Sequence, residues 1–321
     1  MEKNNYPLEI RDVEPEKAEI LMKYFTGEHT GFVRVGPKGY ILPYMFKYEA
    51  FKIYTMEIRP TDVFVVSYPR SGTTWTQELV WMVANDMDYE TANKIPLTKR
   101  YSFLEFSTIP FVDSLFNSMK VEDIAMLPAP RFIKSHLPLS LLPPTLLDTT
   151  KVVYVARDPR DVVVSFFHHN KLKRFTGEDA ELKSYWNYFI KSEVIWTPYF
   201  SHVLEAWEKR SHPNMLFLFY EELFKDMPAA IRRVAKFLGK EVTSEQVAKL
   251  NEHLDFKNFK KNKMVNLEEF QESGIFTKGP GFVRKGKVGG WRDDFDEEMT
   301  EQAEKWIAEN LRGTDFRFPN L

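Results

Sequence analysis

The stretch VFVVSYPRSGTTW at residues 63–75 decides the fold class of this chain. Residues 63–68 are almost continuously apolar, which is typical of a strand that is buried on both faces of a sheet. After the polar turn, apolar side chains recur at helical spacing from Trp75 to Val83, so a helix follows. A buried strand that leads through a turn into a helix is the repeating unit of α/β proteins.

The same order of strand and helix returns along the chain. Apolar runs predict further strands at residues 131–136, 151–156 and 215–220. Helices are predicted at about residues 160–170, at 181–209, at 228–238 before Gly239, and after a capping-box sequence at 243–246. This alternation indicates a single α/β domain with a central parallel sheet flanked by helices. Ligands of such sheets bind beyond the carboxyl ends of the strands.

The composition excludes several classes of function. The chain has 321 residues and no cysteine, which rules out disulfides, thiol nucleophiles and cysteine metal sites. With 44 basic and 46 acidic residues, it has no basic field that would attract nucleic acid. No apolar run approaches the roughly 20 residues that span a bilayer, and residues 1–5 lack the apolar core of a secretory signal. We therefore expect a cytoplasmic protein without a membrane or nucleic-acid partner.

The first candidate site is the loop at residues 69–75, between the predicted strand and helix. Amide groups at a helix start point at a bound anion, and the helix dipole favours negative charge there. Arg70 adds a fixed charge, Gly72 lets the backbone close, and further donors come from Ser71, Thr73 and Thr74. The alternatives are an ordinary turn with a hydroxyl cap and a P-loop NTPase. The second needs a leading glycine and a lysine after Gly72, which this sequence lacks.

The second candidate site is Lys134-Ser135-His136 at the end of a predicted strand. In an extended segment, Lys134 and His136 project from the same face. Transfer of an acidic group to a hydroxyl needs a base, and histidine suits that role because its pKa is close to neutrality. The lysine provides a cation for the charge that develops on the leaving group. A purely structural histidine is the alternative.

Two further segments carry basic residues that suit a phosphate. Arg157 lies at a strand end and Ser165 follows one or two helical turns later, so the two can grip an anion together. Arg284-Lys285-Gly286 lies within the glycine-rich residues 261–290, and we expect those residues to form a mobile loop that covers a cofactor. The alternatives are a helix cap with surface ion pairs and a solvated flexible loop.

At these four sites, the sequence resembles the cytosolic sulfotransferase family, over about residues 40–315. The resemblance implies a nucleotide-kinase-like fold with a parallel sheet of about five strands. It implies 3′-phosphoadenosine 5′-phosphosulfate (PAPS) as sulfuryl donor, adenosine 3′,5′-bisphosphate (PAP) as product, and no metal. It also implies that His136 is the catalytic base, assisted by Arg70 and Lys134. The implied cofactor contacts are residues 70–75 for the phosphosulfate, Arg157, Ser165, Arg284, Lys285 and Gly286 for the 3′-phosphate, and Trp75, Tyr220 and Phe256 for adenine.

The sequence departs from the family pattern at three places. Arg70 stands where the family usually has lysine, and Leu254 replaces a threonine or serine near the adenine. Asp296-Glu297 replaces the Thr-Val pair of the family's dimer motif, which puts that mode of homodimer formation in question. The first 40 residues, an N-terminal extension, resemble insect relatives that include retinol dehydratases.

The expected acceptor is a small hydrophobic phenol or alcohol, such as a steroid, retinoid or xenobiotic. The segments expected around His136 are apolar, and a sugar would leave buried hydroxyls without partners there. These segments are residues 101–106, 109–111 and 166–167. Three alternatives remain at this stage: sulfonation followed by elimination, as in a retinol dehydratase; a P-loop phosphotransferase that uses ATP; and a non-catalytic binder of apolar hormones or retinoids.

Overall fold

The computed structural model of the chain describes residues 6–25, 30–109, 119–172, 180–274, 283 and 286–319. The strands are β1 Ile10–Asp12, β2 Phe32–Val35, β3 Tyr40–Pro43, β4 Val63–Val66, β5 Ser102–Phe103, β6 Phe132–Ser135, β7 Lys151–Ala156 and β8 Met215–Phe219. The helices of the first half are α1 Pro15–Tyr24, α2 Phe46–Tyr54, α3 Thr73–Ala84, α4 Tyr89–Ala92, α5 Leu97–Arg100, α6 Val121–Met126, α7 Leu146–Thr149 and α8 Pro159–Leu172. Those of the second half are α9 Leu182–Ile190, α10 Tyr199–Glu208, α11 Tyr220–Lys225, α12 Met227–Leu238, α13 Ser244–Leu254, α14 Phe256–Lys261, α15 Glu268–Glu272 and α16 Glu297–Leu311.

The central sheet has five parallel strands in the order β5-β6-β4-β7-β8. β4 lies in the middle, with Val66 level with Ser135 of β6 and with Tyr154 of β7. This confirms the expected α/β fold with a parallel sheet flanked by helices. Because the strands run in one direction, the carboxyl ends of β4, β6 and β7 meet at one edge, and the sequence motifs follow those ends.

Side chains of β4 alternate between two hydrophobic cores. Phe64 and Val66 belong to the core that includes residues of the N-terminal sheet, α2, α8, α9, α10 and α16. Val63 and Val65 belong to the core on the other face, with residues of α3, α12, α13 and α14. Both faces of the strand are buried, which explains why its sequence is continuously apolar rather than alternating.

The prediction of one long helix at residues 181–209 is wrong. The structure has two helices there, α9 and α10, and Pro198 stands at the N-cap of the second. Proline has no amide hydrogen and disfavours a helical conformation in the residue before it, so the helix cannot continue through this position. By contrast, the stop at Gly239 and the capping box at Thr243 are confirmed.

A second sheet, antiparallel and three-stranded, is formed by β1, β2 and β3 near the N-terminus. Its buried residues join the core on one face of the central sheet. The edge strand β3 also bonds to the segment between α9 and α10. The Trp196 amide donates to the Ile41 carbonyl at 2.7 Å, and the Ile41 amide donates to the Thr197 carbonyl at 3.0 Å. The N-terminal sheet thereby helps to position residues 191–198.

Candidate active site

The loop between β4 and α3 is a tight turn with two residues in the left-handed region. Arg70 has φ +69° and Gly72 has φ +97°. A Cβ atom on Gly72 would lie only 2.5 Å from Cδ2 of Tyr220. Glycine is therefore required at this position both for the backbone conformation and for the approach of the tyrosine ring. The turn ends at the first residue of α3, where backbone amides point outward without helical partners.

Two buried polar atoms near this loop have no hydrogen-bond partner within the described residues. They are the hydroxyl oxygen of Ser71 and Nε of Arg157. An unsatisfied buried polar group costs roughly 1–3 kcal/mol, so such atoms are typical of a site that is completed by a ligand. The hydroxyl of Thr73 differs, since it shares a hydrogen bond of 2.6 Å with Ser67. Of the loop hydroxyls, Ser71 is thus better suited than Thr73 to bind an anion.

Arg70, Arg157 and Ser165 converge in space, as their sequence context predicts. Nε of Arg70 donates to the Ser165 hydroxyl at 3.2 Å, and Arg157 donates to the Arg70 carbonyl at 3.3 Å. The Arg157 guanidinium lies 4.1 Å from the ring centre of Tyr220 and donates to the Lys287 carbonyl at 3.1 Å. The loop, helix α8 and the segment after Gly286 therefore meet around two guanidinium groups.

Two of the three residues expected to contact adenine, Trp75 and Tyr220, lie side by side. The indole of Trp75 is 5.6 Å from the Tyr220 ring and donates to the Leu254 carbonyl at 2.9 Å. A Cβ atom on Gly286, which has φ +54°, would lie 1.9 Å from the Phe256 ring. Only glycine allows this contact, which brings the segment that contains Gly286 against Phe256. The side chain of Leu254 is buried in the neighbouring core.

The glycine-rich residues 261–290 are described in part. Arg284 and Lys285 lie outside the described residues, as do residues 275–282, so their expected contacts and the expected mobile loop stay predictions. The end of this stretch is anchored to α8 by Asp161. One carboxylate oxygen of Asp161 accepts from the Gly289 amide at 2.8 Å, and the other accepts from the Trp291 amide at 3.0 Å. Burial raises the pKa of Asp161, and the charge of Arg157 counteracts that rise.

His136 follows β6 and is held with one ring nitrogen available. Its Nδ1 lies 2.8 Å from the Ser67 carbonyl oxygen. A carbonyl can only accept, so Nδ1 carries the proton and Nε2 carries the lone pair. Burial lowers the pKa of His136 well below its usual range, and the charge of Lys134 lowers it further. The ring is therefore neutral at pH 7, which differs from the near-neutral pKa that sequence reasoning assumed, and it can accept a proton.

Two aromatic rings enclose His136. Phe103 lies 5.3 Å and Trp196 lies 5.9 Å from the imidazole, measured between ring centres. Trp196 has φ +74°, an unfavourable conformation for a bulky residue, and it is stabilised by its bond to β3. Sequence reasoning missed Trp196, because its proximity to His136 depends on a contact across the fold.

The half-buried Lys134 and the buried Glu105 lie next to His136 and interact electrostatically. Burial lowers the pKa of Lys134 to about 8 against the attraction of Glu105, and burial raises the pKa of Glu105 to about 7. The Lys134 ammonium lies 4.1 Å from the centre of the Phe103 ring. Glu105 accepts from the His136 amide and from the Ser135 hydroxyl, the latter at 2.9 Å.

Glu105 is a second residue that sequence reasoning missed. It was counted among the apolar residues 101–106, although a single acidic residue in an apolar run is itself a signal. The expected apolar wall is placed unevenly. Phe103, beside His136, lies 5.4 Å from Phe106 between ring centres, whereas Tyr101 packs on Phe132 in the core on the other face of the sheet. Residues 110–111 lie outside the described part, and Phe166 packs on Tyr68.

Two further observations concern metal and membrane. Among the described residues, no group of three or more His, Asp or Glu side chains is arranged to hold a metal ion. Within the same residues, no helix is long and apolar enough to cross a membrane.

Comparison with known proteins agrees with this geometry. A family model described as the sulfotransferase domain matches residues 60–315. Luciferin sulfotransferase of Photinus pyralis is 36% identical over 282 residues, which cover 83% of this chain and 75% of that protein. A crystal structure of retinol dehydratase in complex with androsterone and the inactive cofactor PAP is 46% identical with a TM-score of 0.93, covering 98% of this chain and 99% of that one. A second, of retinol dehydratase with retinol and PAP, is 45% identical with the same TM-score and coverage.

Proposed function

This chain belongs to the sulfotransferase family, and we propose that it transfers a sulfuryl group from PAPS to the hydroxyl of a small hydrophobic molecule. The family makes it a transferase of the sulfotransferase class. The observation that carries the finer proposal is the pairing of two features at one edge of the sheet. The Ser71 hydroxyl and Arg157 Nε, which have no hydrogen-bond partner among the described residues, line an anion site, and a neutral His136 next to it presents Nε2.

The residues present fit PAPS and its product. The loop at residues 70–74 and the start of α3 suit the phosphosulfate, because their amides and the Ser71 hydroxyl can donate to it. Arg157 and Ser165 suit the 3′-phosphate, together with the segment of Gly286. Trp75, Tyr220 and Phe256 suit the adenine ring. PAP in the crystal structures of retinol dehydratase supports the same nucleotide here.

In the proposed reaction, His136 Nε2 accepts the proton of the acceptor hydroxyl as its oxygen attacks sulfur. The new oxygen–sulfur bond forms as the bond from sulfur to the 5′-phosphate oxygen breaks. Arg70 and Lys134 stabilise the negative charge that the leaving phosphate gains, together with backbone amides at the start of α3. PAPS supplies the sulfuryl group, and the rest of the molecule leaves as PAP. In this proposal, Arg70 and Lys134 balance the charge of the leaving phosphate, and no metal takes part.

The acceptor site is suited to a flat or extended apolar molecule. Phe103, Phe106 and Trp196 form aromatic surfaces next to His136, and aromatic surfaces bind apolar molecules by area burial. The solved retinol dehydratase structures contain androsterone and retinol, which supports a steroid or retinoid acceptor.

The resemblance to retinol dehydratase supports a second candidate for allylic alcohols. The sulfate ester of such an alcohol can lose sulfate and one proton, which leaves a dehydrated polyene. A neutral base next to the ester could take that proton. Sulfonation is still the first step, so both candidates need the same donor site.

The experiment is an assay of PAP release from PAPS with a panel of phenols, steroids, retinols, soluble glycans and tyrosyl peptides. We expect turnover with lipophilic phenols and alcohols. For retinol, chromatography of the product separates the sulfate ester from the dehydrated polyene. Higher kcat/KM for glycans or tyrosyl peptides would contradict the acceptor class. Phosphate transfer from ATP that depends on magnesium would favour a phosphotransferase, and tight binding of hormones without any turnover would favour a binding protein.

We also propose a cytoplasmic location, as for the cytosolic members of the family. A homodimer stays a prediction, and the family's dimer motif is altered in this chain at Asp296-Glu297. Asp296 caps α16 and accepts from the Lys183 ammonium at 2.9 Å, so its side chain is engaged within the chain.

A further inference from the structure

A buried row of hydrogen bonds leads from the centre of the sheet to the backbone of His136. The Tyr154 hydroxyl, on β7, lies 2.7 Å from Nδ1 of His202, on α10. Nε2 of His202 lies 2.9 Å from the backbone carbonyl oxygen of His136. Tyr154 and His202 are both fully buried, so His202 cannot contact a substrate itself.

The direction of each bond follows from the chemistry of the partners. The His136 carbonyl can only accept, so His202 carries its proton on Nε2. A neutral imidazole has one proton, so its Nδ1 is an acceptor and the Tyr154 hydroxyl donates to it. Burial lowers the pKa of His202 to about 4 and raises the pKa of Tyr154 well above its usual value, so neither group is charged at neutral pH.

His136 is thereby held at three points. Its amide donates to Glu105, its carbonyl accepts from His202, and its Nδ1 donates to the Ser67 carbonyl. Nε2 is the ring nitrogen that remains to take a proton. The rings of Tyr40 and Tyr68 pack against His202 at 6.4 and 5.7 Å, which restricts its rotation.

We propose that His202, oriented by the Tyr154 hydroxyl, is a positioning residue that fixes the backbone of His136 and so aims its Nε2 at the acceptor hydroxyl. This inference rests on the proposed function, in which His136 is the base. The bond from His202 to the carbonyl defines where the His136 Cα lies, and the Ser67 carbonyl then sets the ring orientation. A displacement of about 1 Å in such a group can reduce turnover by about 100-fold.

The test compares two substitutions of similar size. His202→Gln keeps an amide N–H close to the position of Nε2 and an oxygen that can accept from Tyr154. His202→Met fills the same volume without a donor. We expect His202→Met to lower kcat by about 10- to 100-fold, with unchanged KM for the acceptor and unchanged affinity for PAP. His202→Gln should stay within about threefold of wild type.

Nitrogen-15 spectra of histidine-labelled protein provide a readout that needs no turnover. In the wild type, we expect His202 as the Nε2–H tautomer and His136 as the Nδ1–H tautomer. In His202→Gln, His136 should keep that single tautomer, whereas in His202→Met its signals should shift or broaden. Melting temperatures of both variants control for loss of folding.

Two outcomes would overturn the inference. One is a His202 that carries its proton on Nδ1 or is charged at pH 7. The other is an equal loss of turnover in both variants at equal melting temperatures. If the wild type transfers no sulfuryl group from PAPS to any acceptor, the proposed function fails, and the spectra of His136 in the two variants still decide whether His202 positions it.

Discussion

The two halves of the active site are built on opposite principles. In the half proposed to face the donor, the buried Ser71 hydroxyl and Arg157 Nε have no hydrogen-bond partner in the part of the chain that the structure describes. In the half that faces the acceptor, the His136 amide, carbonyl and Nδ1 all have partners, and Nε2 is left for chemistry. The donor half would gain its missing hydrogen bonds from a bound ligand, whereas the hydrogen bonds that hold His136 in the acceptor half are already formed. Substitutions in the first half should therefore affect binding, and substitutions in the second should affect turnover.

The strongest test of this division is His136→Ala. Removal of the base should lower kcat by roughly 10²- to 10⁴-fold, the usual contribution of a general base. Affinity for PAP, measured by calorimetry, should remain as in the wild type, because the donor half is intact. His212→Ala is the matched control, since His212 lies just before β8, at the amino ends of the strands. Near-normal turnover of His136→Ala would mean that another group is the base.

Arg157→Gln should produce the opposite pattern. Loss of a charge-assisted hydrogen bond of about 1.5–3 kcal/mol should weaken PAP binding about 10- to 100-fold. Adenosine 5′-phosphosulfate, which lacks the 3′-phosphate, should be affected little, and Ser165→Ala should show the same preference to a smaller degree. Arg210→Gln, a change at a surface residue paired with Asp315, is the control. Equal losses for both nucleotides would refute the assignment of the 3′-phosphate site.

Gly72→Ala separates backbone strain from the clash with Tyr220. Gly31 has φ +98° and no atom of the described residues within 4 Å of its Cβ position, whereas Gly72 has φ +97° and the Tyr220 ring at 2.5 Å. Gly31→Ala should lower the free energy of unfolding by about 1–2 kcal/mol through strain alone. Gly72→Ala should lower it further and should also weaken PAP binding. Equal unfolding midpoints in urea for the two variants would show that the tyrosine ring moves aside freely.

Glu105→Gln tests the buried carboxyl of the acceptor half through the pH dependence of stability. Because the pKa of Glu105 is raised from 4.5 to about 7 in the folded protein, the folded state binds more protons than the unfolded state between these values. The contribution of Glu105 to stability should therefore fall as pH rises from 4.5 to 7 and then level off. The lowered pKa values of His136 and His202 act in the opposite direction over part of this range. These histidines and Glu221, whose pKa is also raised to about 7, are present in both proteins, so the difference between wild type and variant reports the contribution of Glu105. Urea titrations at several pH values measure the difference, and identical pH profiles would contradict the proposed burial.

Lys134→Arg gives the smallest expected effect. Burial lowers the pKa of Lys134 to about 8, so its charge is lost as pH rises through that value in the free enzyme. The kcat/KM of the wild type should decline there, because the leaving phosphate loses a cation. An arginine keeps its charge at this pH, so the decline should disappear in the variant. A decline of equal size in both enzymes would mean that another group causes the loss of kcat/KM at alkaline pH.

Much of the fold follows from local sequence patterns, as does half of the proposed site. Continuous apolar runs predict the strands of the parallel sheet. The turn at residues 69–75, together with Arg157 and Ser165, predicts the donor half of the proposed site. The acceptor half is harder to predict from the sequence, because the residues that hold His136 in place come from distant segments of the chain. Glu105 reaches His136 across 31 positions and His202 across 66. A buried acid within an apolar run and a histidine on a helix resemble ordinary core residues until the fold brings them together. The break between α9 and α10 could have been predicted from Pro198, which stands at the N-cap of α10.

The bonds between β3 and residues 196–197 have a consequence for shortened forms of the chain. Trp196 keeps its place beside His136 through Ile41, a residue that precedes the matched sulfotransferase region at residues 60–315. Trimming the chain to that region would remove the β3 contact that holds Trp196 beside His136, although every proposed catalytic residue would remain. The truncation would also remove core residues of β2, β3 and α2, so the shortened chain should be less stable as well as less active, which its melting temperature and turnover would measure. The shortest fully active form of the chain should therefore begin upstream of residue 60, where the matched sulfotransferase region begins.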